Sequence, residues 1–232
     1  MREIIFDTET TGFDPQNGDR MVEIGCIEMI DRIETGQTFH CYYNPERAMP
    51  RAAENVHGLS DVFLSDKKLF ASGAAELLDF LGDAKLVAHN AQFDFNFLNA
   101  ELLLCGYQEI SRFRMVDTLA IAKSKHPGAK LSLDALCSRY GIDRSHRVKH
   151  GALLDAELLT QLYIELTGGR QIGLGLAEDT KRRDAIASMR PTSQRSERKQ
   201  FMVPREHVAE ADELARHKIF IEGIENPLWT ET

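Results

Sequence analysis

Glu3-Ile4-Ile5-Phe6-Asp7-Thr8-Glu9-Thr10-Thr11-Gly12 is the stretch on which the fold turns. Ile4, Ile5 and Phe6 form a buried apolar run, so Glu3–Asp7 reads as a strand, and the threonines and Gly12 read as the chain leaving the sheet into a turn. Asp7 and Glu9 stand two residues apart, and a period of two sets both on one side of the strand. Two anions so placed repel unless a cation lies between them. Alone, Asp-x-Glu is common, and an exposed acidic strand end is the more frequent account of it.

Working outward, Met21–Ile30 alternates through Val22, Ile24 and Cys26, and Gln37–Tyr43 is a third strand that stops at the turn signal Asn44-Pro45. Short connections make these three strands antiparallel neighbours. A helical spacing follows over Ser72–Leu81, then a short apolar strand over Lys85–His89 and a helix over Ala91–Cys105 with Phe93, Phe97, Leu98 and Leu102 on one face. Arg114–Asp117 reads as a last strand, and Leu131–Tyr140 and Ala152–Leu166 as helices. A meander followed by strand–helix alternation gives an α/β fold: a mixed five-stranded sheet flanked by helices.

The chain has 232 residues, 28 Lys and Arg, 36 Asp and Glu, and a formal net charge of −8. This excludes a uniformly basic nucleic-acid coat. Four cysteines, Cys26, Cys41, Cys105 and Cys137, are too few and wrongly spaced for a disulfide scaffold or a zinc ribbon. The first apolar run is three residues, too short for a leader or a span, and no later run reaches 18, so the reading is a reduced, soluble, cytoplasmic protein without a membrane role.

The charge is uneven. Residues 1–176 carry −7, residues 177–204 carry +3 and residues 205–232 carry −4. The middle segment is rich in Arg, Ser, Gln and Thr and has too little apolar surface to offset its ordering entropy, so it reads as a flexible basic linker. The last segment regains an apolar pattern in Val208, Leu214, Ile219, Phe220, Ile221, Ile224 and Trp229 but is too short for its own core. It reads as a segment that folds on a partner.

Two further stretches carry chemistry. His89-Asn90-Ala91-Gln92-Phe93-Asp94 runs from a strand end into a helix, with Asn90 as the expected cap and Asp94 one turn in, amid Phe93, Phe95 and Phe97. A carboxylate in such a run is unfavourable unless paired or metal-bound. His150-Gly151-Ala152-Leu153-Leu154-Asp155 opens the last helix, with Asp155 in its first turn and His150 on flexible backbone before it. A histidine beside carboxylates suits proton transfer near neutral pH.

Asp7-x-Glu9, His89-Asn-Ala-x-Phe-Asp94 and His150-x4-Asp155, in this order, resemble the motifs of the DEDD family of 3′–5′ exonucleases in its histidine-bearing branch. The resemblance covers residues 1–166 and lacks no motif position. It implies a ribonuclease H-like fold and two divalent ions, Mg²⁺ or Mn²⁺, which suit a cage of hard oxygen ligands. It implies Asp7, Glu9 and Asp155 as ligands of the first ion, Asp7 bridging to the second with help from Asp94, and His150 as the general base. The product is a nucleoside 5′-monophosphate from a DNA 3′ end, a single strand or a mismatched primer terminus. Asp7, Glu9 and Asp155 then touch substrate as well. The family's Val-His-Gly histidine corresponds to His57, a helix-end histidine being the plainer account. A family carboxylate five residues earlier is Ala52 here, with Glu54 nearby. Thr8, Thr10 and Thr11 are expected to present backbone or hydroxyl groups to the 3′ end, and Phe93 to belong to the core.

Beyond the last helix, Gln171-Ile172-Gly173-Leu174-Gly175-Leu176 resembles the short peptides that bacterial sliding clamps bind, with Gln171, Leu174 and Leu176 as contacts; a Gly-rich helix exit is the alternative. The layout of nuclease body at 1–176, linker at 177–204 and terminal segment at 205–232 resembles proofreading subunits of bacterial replicative polymerases. That implies a polymerase catalytic subunit bound through the C-terminal segment, a clamp, and a small accessory subunit that no residue identifies. A stand-alone RNA-trimming exonuclease and an adaptor between polymerase and clamp are the competing readings.

Overall fold

The computed structural model describes residues 1–145, 147, 149–169 and 209–223. The chain separates into two units, Met1–Leu174 and Gly175–Thr232. The proposed clamp peptide at Gln171, Leu174 and Leu176, the linker at 177–204, and Val208, Ile224 and Trp229 lie outside the described residues.

The first unit is built on one mixed sheet of five strands: β1 (Arg2–Thr10), β2 (Met21–Ile30), β3 (Ile33–Tyr42), β4 (Lys85–Ala88) and β5 (Met115–Asp117), in the order β3-β2-β1-β4-β5. β1 pairs antiparallel with β2 and parallel with β4; β2 and β3 are antiparallel, and β4 and β5 parallel. The expected meander and mixed sheet are therefore present. The helices are α1 (Arg51–His57), α2 (Asp61–Leu64), α3 (Phe70–Leu81), α4 (Ala91–Leu104), α5 (Thr118–Lys125), α6 (Leu133–Tyr140) and α7 (Ala152–Leu166). Of these, α1, α2 and α5 escape the hydrophobic pattern, because α1 and α2 are short and the apolar residues of α5 do not gather on one face.

The strand period sorts the core into two layers. Ile4, Phe6, Ile24 and Cys26 point to one face, against Phe70, Leu77 and Leu81 of α3 and Phe95, Phe97 and Leu98 of α4. Ile5, Met29 and Val87 point to the other, against Ala122, Leu136, Leu159 and Leu162 of α5, α6 and α7. Even-numbered β1 residues thus face α4 and odd-numbered ones face α7. All four cysteines are free thiols.

Two local expectations are corrected. β1 does not turn out after Asp7 but continues to Thr10, because Thr8 and Glu9 keep pairing with Ile24 and Glu23 of β2; the register shifts only between Glu9 and Thr10. Asn90 does not cap α4 with its side chain. It sits at φ 62°, and the carboxylate of Asp117, at the end of β5, accepts from the Asn90 and Ala91 N–H groups at 3.1 and 3.3 Å. The same oxygen accepts from Leu119 N–H at 3.0 Å, so one residue ties the starts of α4 and α5 to the sheet.

In the second unit, Ala211–Glu222 forms helix α8, in which Leu214, Ile219 and Phe220 are exposed. Among the described residues, no helix is long and apolar enough to cross a membrane.

Candidate active site

The strand period carries Asp7 and Glu9 to the α7 face, as read from the sequence. What brings α7 to them is a missing side chain. Gly25 lies opposite Asp7 in the β1–β2 ladder, and a Cβ there would stand 2.3 Å from the Leu153 Cα and backbone nitrogen. The first turn of α7 therefore rests directly on the strand backbone, and Asp155 comes to the sheet beside Asp7 and Glu9. Asp94 arrives from the other side, on the first turn of α4, where Thr8 Oγ1 donates to its Oδ1 at 2.7 Å.

These residues converge. Asp7, Glu9, Asp94, His150 and Asp155 line one cavity of about 210 Å³, together with Thr8, His89, Phe93, Leu133 and Arg147. Ligand atoms of Glu9, His150 and Asp155 lie within 4.8 Å of one another. Asp94 and Asp155 are 2% and 3% exposed, so neither carboxylate is bathed by solvent.

Crowding buried anions has an electrostatic cost, visible as proton affinity. Burial pushes the Glu9 carboxyl up from 4.5 to about 8, and the charges of Asp155, Glu23 and Asp94 push the same way. Burial, followed by Asp94, Glu9, Asp155 and Glu23, holds Asp7 well above the usual carboxylate range. Asp94 is raised to about 7 by burial, against the lowering effect of the Thr8 hydrogen bond. A cation among these oxygens would relieve all three. The donor set is oxygen-rich, with four carboxylates, the imidazoles of His89 and His150 and no thiol at the cavity, so it fits a hard divalent ion.

Other expected residues fall nearby. His57 closes α1 and is buried; its Nδ1 accepts from Leu59 N–H at 3.0 Å, while its Nε2 lies within reach of the Thr10 backbone without a well-aligned hydrogen bond. It lines an adjoining cavity of about 540 Å³ that shares Thr8, Glu9 and Phe93 with the carboxylate cavity and is bordered by Phe13, which is 90% exposed. Phe93 is both core and cavity wall, packing on Phe97 while lining the two spaces. The three threonines line the site, but their hydroxyls are engaged within the protein: Thr8 on Asp94, Thr10 on Gly12 O at 2.6 Å and Thr11 on Asp19 at 3.3 Å. His89 has partners on both ring nitrogens, Thr118 Oγ1 at 2.9 Å and Leu131 O at 2.8 Å, and serves the architecture.

Two residues went unread in the sequence. Glu23, 3% exposed and opposite Glu9 in the ladder, is a fifth carboxylate, held by His40 Nε2 at 2.7 Å. Its place could be found by extending the β2 alternation. Arg147 has no local signal. Its side chain, 8% exposed, contacts both Asp155 oxygens and His150 Nδ1, each at 2.6 Å.

The chain matches the Exonuclease family over residues 4–163. It is 45% identical to the DNA polymerase III subunit epsilon of Rickettsia felis over 227 residues, 97% of each chain. It is 40% identical to the subunit of the same name from Salmonella typhimurium over 225 residues, 94% of this chain and 90% of that one. The chain belongs to the DNA polymerase III epsilon exonuclease family. As a member it is a 3′–5′ proofreading exonuclease, and dependence on divalent metal is general to these enzymes. The fold agrees. Exonuclease X in complex with 5′ overhanging duplex DNA superposes with a TM-score of 0.56 at 22% identity, over 71% of this chain and 90% of that one. The nuclease domain of 3′hExo, a DEDDh family member bound to rAMP, gives 0.62 at 16% identity, over 72% and 91%.

Proposed function

We propose that this chain removes mismatched nucleotides from the 3′ end of a DNA primer as 5′-monophosphates, while held in a replicative polymerase. The observation that carries this is the convergence of Asp7, Glu9, Asp94 and Asp155 on one small cavity with His150 at its edge. We assign Asp7, Glu9 and Asp155 as ligands of a first Mg²⁺ or Mn²⁺, and Asp7 with Asp94 as those of a second. Bound there, the ions supply Lewis-acid stabilisation of charge on the attacking and leaving oxygens.

The chain's own groups do the rest. His150 is the general base: its Nδ1 faces Asp155 at 3.2 Å and takes the proton of the attacking water. Thr8 fixes Asp94 in one orientation through its hydrogen bond. The adjoining cavity takes the terminal nucleotide, with Nε2 of His57 meeting a polar atom of the nucleotide and Phe93 flanking it. Glu54 is not among the residues lining that cavity and receives no role.

The C-terminal segment at 205–232 docks on the polymerase catalytic subunit, its helix α8 presenting Leu214, Ile219 and Phe220. The segment at 177–204 is the leash that keeps local concentration high, and Gln171, Leu174 and Leu176 contact the clamp. Deleting residues 177–232 tests the assignment: nuclease activity on a mismatched primer is expected to persist while co-purification with the polymerase catalytic subunit is lost. An Asp7→Ala protein that still degraded the primer with magnesium would refute the metal site.

A further inference from the structure

Arg147 occupies a place that the chemistry reserves for another cation. Its Nη2 donates to Asp155 Oδ2 at 2.6 Å, and its Nε lies 2.6 Å from Asp155 Oδ1. Both oxygens of a carboxylate assigned as a metal ligand are therefore already neutralised. The same Nη2 lies 2.6 Å from His150 Nδ1. A guanidinium has donors only, so in this contact the imidazole nitrogen must be the acceptor, and its lone pair is taken. One side chain thus covers the ligand carboxylate and the nitrogen assigned to accept the proton of water. Arg147 is held in turn by Nη1 on Asp134 Oδ1 at 2.6 Å, at the start of α6.

The contact is close but imperfect. Arg147 Nε and Asp155 Oδ1 are both buried, and neither has an aligned hydrogen bond among the described residues. A guanidinium on a carboxylate ordinarily makes two parallel hydrogen bonds; here one is satisfied and the other is charge proximity alone. Asp155 Oδ1 is an acceptor poised for a better partner, and a hard divalent ion would be such a partner for a carboxylate oxygen. With Nε and Nη2 each 2.6 Å from an Asp155 oxygen, an ion that binds this carboxylate meets the guanidinium on its approach.

We propose that Arg147 is a resident cation exchanged for the divalent ion at Asp155, and that its departure uncovers Nδ1 of His150. Arg147 is then a positioning residue acting through Asp155 and His150. It stabilises the clustered carboxylates before the metal arrives, and it lowers metal affinity in proportion to that help. Departure to Asp134 alone costs it one ion pair rather than two, because that contact comes from a different nitrogen. The inference rests on the metal reading above, and its test separates the two.

The test is calorimetric titration of the full-length, chelator-stripped protein with Mn²⁺, with free Mn²⁺ followed by its electron paramagnetic resonance signal. Arg147→Met is expected to bind Mn²⁺ about two- to fivefold tighter than the wild type, since a competing cation worth an ordinary ion pair has gone. Arg147→Lys, a point charge that cannot fork, is expected to fall between the two. The gain must vanish in Arg147→Met combined with Asp155→Asn. Unchanged or weaker binding by Arg147→Met, or a gain that survives loss of Asp155, overturns the exchange. If Arg147→Met fails to give a folded circular dichroism spectrum, Arg147→Lys decides by the same sign. Wild-type protein that binds no Mn²⁺ overturns the metal reading and the exchange with it.

Discussion

Replacing Glu9 by Gln should make the metal-free protein more stable while making it inactive. In the fold the Glu9 carboxyl is raised from its ordinary 4.5 to about 8. A carboxyl so raised keeps a proton in the folded chain that the unfolded chain has shed, so the wild type loses stability as pH rises from about 4.5 through about 8. Each tenfold change in proton affinity is about 1.36 kcal/mol, so carrying Glu9 into the fold at pH 7.5, with a proton that the unfolded chain lacks, costs on the order of 4 kcal/mol. Asp7 and Asp94 titrate against Glu9, so removing one charge returns only part of this, roughly 1–3 kcal/mol. In a chain of this size that raises the melting temperature by about 2–12 °C. The assay is thermal denaturation with chelator at pH 7.5 and at pH 4.5. The gain should be present at pH 7.5 and nearly absent at pH 4.5, where the unfolded chain also holds much of that proton. Saturating Mg²⁺ should reverse the order, because the wild type gains an ion that the variant holds poorly. A variant less stable than the wild type in chelator at pH 7.5, or a gain that does not change with pH, would refute the electrostatic account.

His150→Ala should lower single-turnover hydrolysis about 10²–10⁴-fold while primer affinity stays within a few-fold, as befits a general base; a loss confined to affinity would remove that role. Gly25→Ala should push the first turn of α7 off β2, costing about 1–3 kcal/mol in urea denaturation and roughly 10²-fold in activity through displacement of Asp155. Full activity in this variant would show that some other contact sets the approach of α7.

The parts of the fold and site that were legible in the sequence are those governed by local periods. Ile4, Ile5 and Phe6 announce β1, and a period of two puts Asp7 and Glu9 on one side. The apolar face of Ala91–Cys105 announces α4, and position in the first turn places Asp94 and Asp155 near helix starts. What escaped is non-local. β1 extends to Thr10 because β2 supplies ladder partners for it, a fact that no run of β1 residues contains. The start of α4 is held by Asp117, 27 residues beyond Asn90, so a local capping rule selected the wrong side chain. Arg147 lies in a polar loop whose sequence resembles any exposed turn; only the fold turns its guanidinium toward Asp155.

The order of the strands has a consequence for synthesis. β1 is the first element made and the middle strand of the sheet, flanked by β2 on one edge and by β4 on the other. A growing chain can pair β1 with β2 and β3 early, but the carboxylates on β1 then stand alone. Asp94 joins only after β4 and α4, and Asp155 only when α7 has emerged and settled against Gly25. Folding of such long-range pairings comes late. The complete set of ligands exists only once α7 has formed, so no N-terminal fragment that ends before Asp155 holds the whole site.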